Sequence, residues 1–324
     1  MTQIEAKNLY FKLENEISKI IVGKTETIKL LSVGLLADGH VLLEGVPGVA
    51  KTLIAKAFAK ALGLDFRRIQ LTPDMLPADI TGTFIFNAKD QQFIFREGPI
   101  FGNVVLADEI NRAIPKTQSA LLEAMQEKQV TVEGVTRLLP APFIVIATQN
   151  PVEMQGTYPL PEAQLDRFML RLIVEVPEKS DEIEIVNRAT AATDLSTVQA
   201  VVSAKEVTSA RDQIRESVTI SHEVMDYVVS LVGATRLDEE KVLLGGSPRA
   251  SVHLLAASRA LAAINGKSYV TPDDVKSLTF HALNHRILLS PEYVLRSARS
   301  LRPYNYDAVN NVITTAISAT EPPR

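Results

Sequence analysis

A glycine-rich stretch at residues 45–52, Gly-Val-Pro-Gly-Val-Ala-Lys-Thr, combines the residue types that bind phosphate groups. The apolar run at residues 41–43 predicts a strand before it, and the run at residues 53–62 predicts a helix after it. In this strand–turn–helix order, backbone N–H groups converge on one point, where the helix N-terminus adds partial positive charge. Lys51 would then contact the β- and γ-phosphates of a nucleotide, and the hydroxyl of Thr52 would bind Mg²⁺.

The stretch departs from the pattern Gly-x-x-x-x-Gly-Lys-Ser/Thr at one position, because Ala50 replaces the second glycine. A methyl group is tolerable there if residue 50 is already helical. The alternative interpretation is a strand–helix turn rich in small residues that binds no ligand. The residues expected to contact the nucleotide are Gly45, Val46, Pro47, Gly48, Val49, Ala50, Lys51, Thr52 and Leu53.

Two carboxylates, Asp108 and Glu109, follow a second apolar run at residues 104–107. Acids at the carboxyl end of a buried strand face the ligand crevice of an open α/β sheet. We expect Asp108 to hold Mg²⁺ through water, as the acidic partner of Thr52, and Glu109 to align and polarise an attacking water. Solvated acids at a strand end are the alternative.

Three further polar residues are candidates for the same site. Asn150 closes an apolar strand and could hydrogen-bond the γ-phosphate or the water, although asparagine before proline is also common in turns. Arg249 follows a helix start, where a cation gains nothing from the helix dipole, which favours a role facing phosphate over a surface position. Arg167 follows a short predicted helix; it is either an ordinary cation there or an arginine that reaches a neighbouring subunit, with Arg171 and Arg112 as competing candidates.

The elements that would position these residues alternate between strands and helices up to about residue 177, which predicts an α/β unit with a mainly parallel sheet. Two hairpins are predicted, at residues 83–95 and 129–138. Arg67 and Arg68 lie in the strand predicted after residues 45–52, the stretch that we call the phosphate loop. They are interpreted as a solvated strand end rather than a basic contact patch.

We expect two domains, a nucleotide-binding core at residues 1–177 and an all-α lid at residues 178–324. The helices predicted for the lid lie near residues 178–192, 204–217, 221–235, 248–264, 272–284 and 305–318.

The composition limits the class of protein. The chain has 324 residues, 46% of them hydrophobic and 22% charged, with a net charge of −4. This charge argues weakly against general nucleic-acid binding, which favours a basic surface. The absence of cysteine excludes disulfides and thiolate metal sites. We expect a cytoplasmic protein, since the sequence contains neither an apolar run long enough to span a membrane nor the pattern of a signal peptide.

Taken in order, these motifs resemble those of the AAA+ ATPases. Residues 45–52 correspond to Walker A, residues 104–109 to Walker B, Asn150 to sensor 1, Arg167 to the arginine finger and Arg249 to sensor 2. More narrowly, five sequence blocks resemble the MoxR family. These blocks are residues 44–48, 71–79, 108–113, 147–151 and 156–168.

The resemblance implies an AAA+ core followed by a helical lid, with ATP or ADP and Mg²⁺ as cofactors. Val22 and Gly23 resemble the segment that lines the adenine pocket, the hairpin at residues 83–96 resembles the helix-2 insert, and that at residues 129–138 resembles the pre-sensor-1 hairpin. The family further implies a ring, usually a hexamer, that remodels or activates client proteins in a chaperone-like way. Clients in this family often carry von Willebrand factor A domains.

Other functions remain open at this point. A nucleic-acid motor is the main alternative, because related AAA+ groups with the same two hairpins include replicative helicases; the negative charge and the lack of lysine-rich hairpins argue against it. A scaffold that binds ATP without hydrolysing it is a second alternative, and Glu109 argues against that. A GTPase is disfavoured because the sequence has no Asn-Lys-x-Asp motif.

The first prediction concerns Lys51. Lys51→Ala should abolish nucleotide binding, because the phosphates lose their main cation. Isothermal calorimetry with ATP measures this directly. If the variant binds ATP as tightly as the wild type, residues 45–52 are not a phosphate loop.

Overall fold

The computed structural model describes residues 4–151, 156–190, 194–297 and 306–323 of the chain. The strands are β1 (Val41–Glu44), β2 (Phe66–Gln70), β3 (Gly82–Asn87), β4 (Gln92–Glu97), β5 (Val104–Asp108), β6 (Gln129–Val132), β7 (Val135–Leu138), β8 (Ile144–Gln149), β9 (Leu170–Ile173), β10 (Val242–Leu244) and β11 (Leu288–Leu289). The helices are α1 (Ile4–Ile17), α2 (Thr25–Leu36), α3 (Lys51–Ala61), α4 (Pro77–Thr81), α5 (Pro115–Glu127), α6 (Glu162–Leu165), α7 (Lys179–Thr190), α8 (Ala204–Ser217), α9 (His222–Ala234), α10 (Pro248–Ile264), α11 (Pro272–Leu283), α12 (Pro291–Ser297) and α13 (Tyr306–Ala319).

A five-stranded sheet forms the centre of the core, in the order β2-β5-β8-β1-β9, and every neighbouring pair is parallel. The central strands are buried on both faces, which explains why they read as continuous apolar runs rather than alternating ones. Because the strands are parallel, their carboxyl ends meet at one edge of the sheet. The phosphate loop leaves β1 at this edge, and Asp108 ends β5 there.

Both predicted hairpins are present, as the antiparallel pairs β3–β4 and β6–β7. The predicted fold class, an α/β core with a parallel sheet followed by a helical lid, is confirmed. The lid also contains the short antiparallel pair β10–β11 and the helix α12, which the sequence analysis did not predict. Strands of two or three residues are too short to show a periodic pattern. Residues 191, 192 and 305, at the ends of two predicted helices, lie outside the described part of the chain.

The near-helical spacing of apolar residues at positions 4–21 predicts a first helix over that range, but α1 ends earlier, at Ile17. The backbone tightens after Ile17 and then turns at Gly23, which has a φ of 67°. A positive φ favours glycine and ends the helical path before α2 begins.

One apolar core runs through both parts of the protein. It joins α1, α2, α3 and one face of the sheet to the lid helices α8, α9, α10, α11 and α13. A second cluster fills the other face of the sheet beneath α5. Fully buried Phe58 anchors α3, the helix that follows the phosphate loop, and replacing such a residue by alanine typically costs about 3–5 kcal/mol. The boundary between residues 177 and 178 stays a prediction.

No helix in the described ranges has both the length and the apolar character needed to cross a bilayer.

His40, just before β1, connects three elements of the core. Its Nδ1 accepts the N–H of Val145 at 3.0 Å, and its Nε2 lies 2.9 Å from the carbonyl oxygen of Met125. Nδ1 therefore carries no proton, and Nε2–H is the donor to Met125. Complete burial lowers the pKa of His40 from 6.5 to about 4.

This histidine predicts a loss of stability in acid. Between pH 6.5 and pH 4 the unfolded chain binds a proton at His40 that the folded chain excludes, so the free energy of unfolding falls as the pH falls. His40→Gln should destabilise the protein at pH 7.5 but reduce the further loss on going to pH 5.5 by about 1 kcal/mol.

Urea unfolding at the two pH values checks this prediction. His222→Gln is the matched control, because His222 is exposed at the start of α9. If His40→Gln loses as much stability between pH 7.5 and 5.5 as the wild type does, His40 does not exclude that proton.

Candidate active site

The phosphate loop has an unusual backbone at two positions. Gly48 has a φ of 85°, and Ala50 has φ 66° and ψ 20°, which places it in the left-handed region as the N-cap of α3. Residue 50 is therefore not helical, and the condition under which its methyl group would be tolerable is not met. The left-handed conformation costs a residue with a side chain about 1–2 kcal/mol. Positive-φ residues just before a helix turn successive N–H groups toward one concavity, which suits an anion.

Gly45 is required for a different reason, which is close packing of the backbone. A Cβ atom added at Gly45 would lie 2.4 Å from the carbonyl oxygen of Val174, just after β9. The N–H of Val174 also donates to the carbonyl oxygen of Glu44 at 2.7 Å. The start of the loop is thereby pinned to the edge of the sheet, and a side chain at position 45 would push it away.

Lys51 points back into the concavity of the loop. Its Nζ donates to the carbonyl oxygens of Gly45 and Val46, the latter at 3.0 Å. Partial burial lowers the pKa of Lys51, while the nearby carboxylates of Asp108 and Glu109 oppose that shift. The ammonium group lies where phosphate oxygens could replace the two carbonyl oxygens as acceptors.

The carboxylate of Asp108 is buried and accepts hydrogen bonds from three elements. Thr52 Oγ1 lies 3.2 and 3.1 Å from its two oxygens, Thr148 Oγ1 donates at 2.7 Å, and Arg68 Nη2 donates at 2.7 Å. A carboxylate beside a hydroxyl is a set of hard oxygen donors, which Mg²⁺ prefers. Thr52 and Asp108 therefore fit the predicted metal site. Arg68, interpreted from sequence as part of a solvated strand end, instead makes an ion pair with Asp108, and that interpretation was wrong for this residue.

Glu109 lies directly beyond Asp108 and leaves the strand in a left-handed conformation, with φ 58°. Its backbone N–H donates to Thr148 Oγ1 at 2.8 Å. Its carboxylate accepts from Gln70 Nε2 at 3.1 Å and pairs with Arg112 Nε at 3.2 Å. Strained backbone of this kind costs on the order of 1–3 kcal/mol and is concentrated at functional sites.

Asn150 follows β8, the strand between β1 and β5. Gln149 pairs with Glu44, so Asn150 lies level with the first residue of the phosphate loop. Asn150 is buried, and its carbonyl oxygen accepts a hydrogen bond from Asn111 Nδ2 at 3.3 Å. The predicted sensor-1 residue is thus placed on the strand between those that carry the loop and the acids.

Arg171 in β9 is buried, which separates it from the other arginine candidates. Its guanidinium pairs with Glu44 at 3.2 Å and with Asn284 Oδ1 at 2.8 Å, and it lies over the ring of Tyr306. The hydroxyl of Tyr306 donates to Glu44 as well. Arg171 therefore connects Glu44, the residue directly before the phosphate loop, to the lid. Because it is buried in these contacts, Arg171 is not available to a neighbouring subunit.

Asp166, at the end of α6, accepts hydrogen bonds from three lid side chains. These are Arg286 Nε at 2.7 Å, Ser247 Oγ at 2.9 Å and Arg249 Nη1 at 3.1 Å. Arg249 therefore contacts the residue directly before Arg167 in the chain. Arg167 is partly exposed, and its side chain makes no hydrogen bond or ion pair with any residue that the structure describes.

Val22 and Gly23 lie between α1 and α2, against the first lid helix. A Cβ atom added at Gly23 would lie 1.8 Å from Asp181 Oδ2 in α7. The neighbouring Lys24 donates from Nζ to the carbonyl oxygen of Glu175 at 2.9 Å. The predicted adenine-pocket segment is thus placed where the core meets the lid.

The sequence analysis missed four residues that shape the site. Strand periodicity could have found two of them, because Arg68 and Gln70 alternate on β2 and so share a face of the sheet. The signal was incomplete without the strand order, which puts β2 beside β5. The missed residues are Glu44, Arg68, Gln70 and Thr148.

The backbone at residue 50 generates a prediction about stability. Ala50→Gly should raise the free energy of unfolding by up to about 1 kcal/mol, because glycine adopts the left-handed conformation without the Cβ penalty, although it gains entropy when unfolded. Ala59→Gly, in the interior of α3, is the matched control and should lower it by about 1 kcal/mol or more. Urea unfolding of both variants checks this. Equal destabilisation by the two variants would mean that residue 50 is helical.

Two family models match the chain. The model described as ATPase family associated with various cellular activities (AAA) matches residues 40–170, and the model described as AAA lid domain matches residues 234–300. The first match covers the loop, Asp108 and Asn150, and the second covers Arg249.

Relatives cover most of the chain. Chaperone MoxR1 of Mycobacterium tuberculosis is 45% identical over 288 residues, 85% of this chain and 74% of that protein. The uncharacterised protein YeaC of Bacillus subtilis is 47% identical over 281 residues, 87% of each chain. The crystal structure of a proposed ATPase from Cytophaga hutchinsonii matches with a TM-score of 0.88 and 40% identity, covering 100% of this chain and 97% of that one. The chain belongs to the MoxR family of AAA+ ATPases.

Proposed function

We propose that the protein hydrolyses ATP with Mg²⁺ as a ring-shaped oligomer and uses this cycle to remodel or activate client proteins. The observation that carries the proposal is the meeting of Lys51, Thr52, Asp108 and Glu109 at the carboxyl end of one parallel sheet. A cation for phosphate, two oxygen ligands for a metal and an acid for water are the parts that phosphoryl transfer to water requires.

Each residue has a defined role in this proposal. The loop N–H groups and Lys51 bind the phosphates, for which Lys51 exchanges its two carbonyl partners for phosphate oxygens. Thr52 and Asp108 would hold Mg²⁺, which would supply positive charge beside the phosphate oxygens. Glu109 orients the attacking water and accepts its proton, and Asn150 hydrogen-bonds the γ-phosphate or the water.

Arg167 would complete the site of a neighbouring subunit. Its partial exposure and the absence of a side-chain partner among the described residues support an arginine finger that acts between subunits. Arg249 contacts the preceding residue, Asp166. An arginine finger contributes about 10³–10⁵ in rate in the best-studied systems, or on the order of 4–7 kcal/mol of barrier. A head-to-tail ring, in this family usually a hexamer, brings one subunit's finger to the next subunit's phosphate loop.

A protein client fits the exposed surface better than a nucleic acid does. The β3–β4 hairpin exposes Phe86 and Phe93 near its tip, and the chain has a net charge of −4. The relative named as a chaperone also supports a protein client. That the client carries a von Willebrand factor A domain stays a prediction from the family resemblance. That this protein is cytoplasmic stays a prediction from its sequence. Salt-dependent DNA binding would instead favour the helicase-like alternative.

Mixing two inactive variants tests the shared site. Glu109→Gln should bind ATP but hardly hydrolyse it, because the water loses its base, and Arg167→Ala should bind ATP but hydrolyse it slowly, because the neighbour loses its finger. In an equal mixture with random assembly, roughly a quarter of the interfaces would combine an intact Glu109 with an intact Arg167. Phosphate release should therefore reappear on mixing, provided that the subunits exchange.

Arg67→Ala is the control for arginine loss, because Arg67 is exposed and pairs with Asp65 on the edge strand. It should keep wild-type turnover. Near-normal turnover by Glu109→Gln would assign the base elsewhere. Wild-type turnover by Arg167→Ala in assembled rings would exclude Arg167 as the finger, and Arg112 would be the next candidate.

A further inference from the structure

Arg68 contacts Oδ2 of Asp108, the oxygen that also lies 3.1 Å from Oγ1 of Thr52. Arg68 Nη2 lies 2.7 Å and Nε 3.2 Å from Asp108 Oδ2. Its side chain is 41% exposed, whereas that of Asp108 is only 7% exposed. Arg68 is thus the cationic partner of a largely buried carboxylate, and that carboxylate is the predicted metal ligand.

The sheet explains why this arginine, and not its neighbour, reaches the acid. Arg68 pairs with Leu106 and Gln70 pairs with Asp108 in the parallel ladder of β2 and β5, so these four side chains share one face. Arg67 is directed to the other face, where it pairs with Asp65. The strand therefore offers a matched pair of adjacent arginines, of which one contacts the site.

A guanidinium group and a magnesium ion cannot both hold the same carboxylate oxygen from the same side. Mg²⁺ demands near-ideal octahedral geometry and keeps several waters, and its shell needs room around the ligand oxygens. Thr148 donates to Oδ1 of Asp108, whereas Oδ2 is shared between Arg68 and Thr52. Oδ2 is therefore the oxygen that Arg68 would have to release to a metal held beside Thr52.

We propose that Arg68 is a positioning residue that holds Asp108 in the absence of metal and competes with Mg²⁺ for its carboxylate. This inference rests on the proposed function, since it assumes that Thr52 and Asp108 bind Mg²⁺. Nη2 of Arg68 also donates to Gln70 Oε1 at 2.6 Å. Arg68 would therefore keep one hydrogen-bond acceptor when Mg²⁺ takes its place at Asp108. The site thereby keeps a buried carboxylate paired when it is empty, and weakens metal binding until a nucleotide supplies additional oxygen ligands.

The expected size of the effect follows from the contact. Hydrogen bonds to charged groups are strong, but solvent screens an arginine that is two-fifths exposed. We therefore expect removal of the guanidinium to strengthen the contribution of Mg²⁺ to nucleotide affinity by about tenfold, which corresponds to about 1.4 kcal/mol.

The experiment is a calorimetric titration of ADP with excess Mg²⁺ and, separately, with EDTA. The dissociation constant in EDTA divided by that in Mg²⁺ reports the coupling between metal and nucleotide. Any direct attraction between Arg68 and the phosphates contributes to both constants and therefore cancels. Arg68→Gln should raise this ratio by about tenfold relative to the wild type. Arg67→Gln, one residue away and directed to the opposite face, should leave it unchanged.

The possible outcomes separate this inference from the proposed function. If the wild type binds ADP more tightly with Mg²⁺ and Arg68→Gln shows the same or a smaller ratio, competition by Arg68 is overturned while the metal site stands. An equal rise in Arg67→Gln would also overturn it, because loss of any nearby charge would then suffice. If the wild type binds ADP equally with Mg²⁺ and with EDTA, the metal site itself fails, and this inference fails with it.

Discussion

The carboxylate of Asp108 must be satisfied inside the protein, and much of the site is arranged around that requirement. A buried charge without partners is costly, so its oxygens accept from Thr52, Thr148 and Arg68. These donors come from the start of α3 and from both strands that flank β5, which only a parallel sheet with β5 between β2 and β8 provides. The same hydrogen bonds hold the phosphate loop, Glu109 and the predicted metal ligands together, within reach of the nucleotide that we propose.

Two buried arginines join this sheet to the lid at the end of α11. Arg171 pairs with Glu44, directly before the phosphate loop, and with Asn284, whereas Arg286 pairs with Asp166, directly before Arg167. Removing one partner of a buried ion pair typically costs about 3–5 kcal/mol, so these links are structurally important. A change in lid position would therefore act on the phosphate loop and on Arg167 together, which is the coupling that the proposed nucleotide-driven ring would require.

Much of the site could be predicted from sequence because its parts are local. Residues 45–52, the two acids at the end of β5 and Asn150 each follow an apolar run directly. Both hairpins consist of two short runs rich in β-branched or aromatic residues around a polar turn. Arg68 could not be assigned in this way, because its role depends on which strand lies beside β2. The left-handed conformation of Ala50 also escaped prediction, since an alanine beside a helix start carries no signal of positive φ. The pair β10–β11 is too short for its pattern to be recognised.

The central claim is that one subunit supplies the phosphate loop and the metal ligands while its neighbour supplies the arginine. Cryo-electron microscopy of the Glu109→Gln protein with ATP and Mg²⁺ measures this most directly, because it locates the nucleotide and the side chains of both subunits in one map. We expect ATP between adjacent subunits, with Lys51 and Thr52 of one subunit on one side of it. The guanidinium of Arg167 from the other subunit should lie within hydrogen-bond distance, about 3 Å, of the γ-phosphate. A closed ring with ATP at Lys51 but with Arg167 directed away from every nucleotide would contradict it.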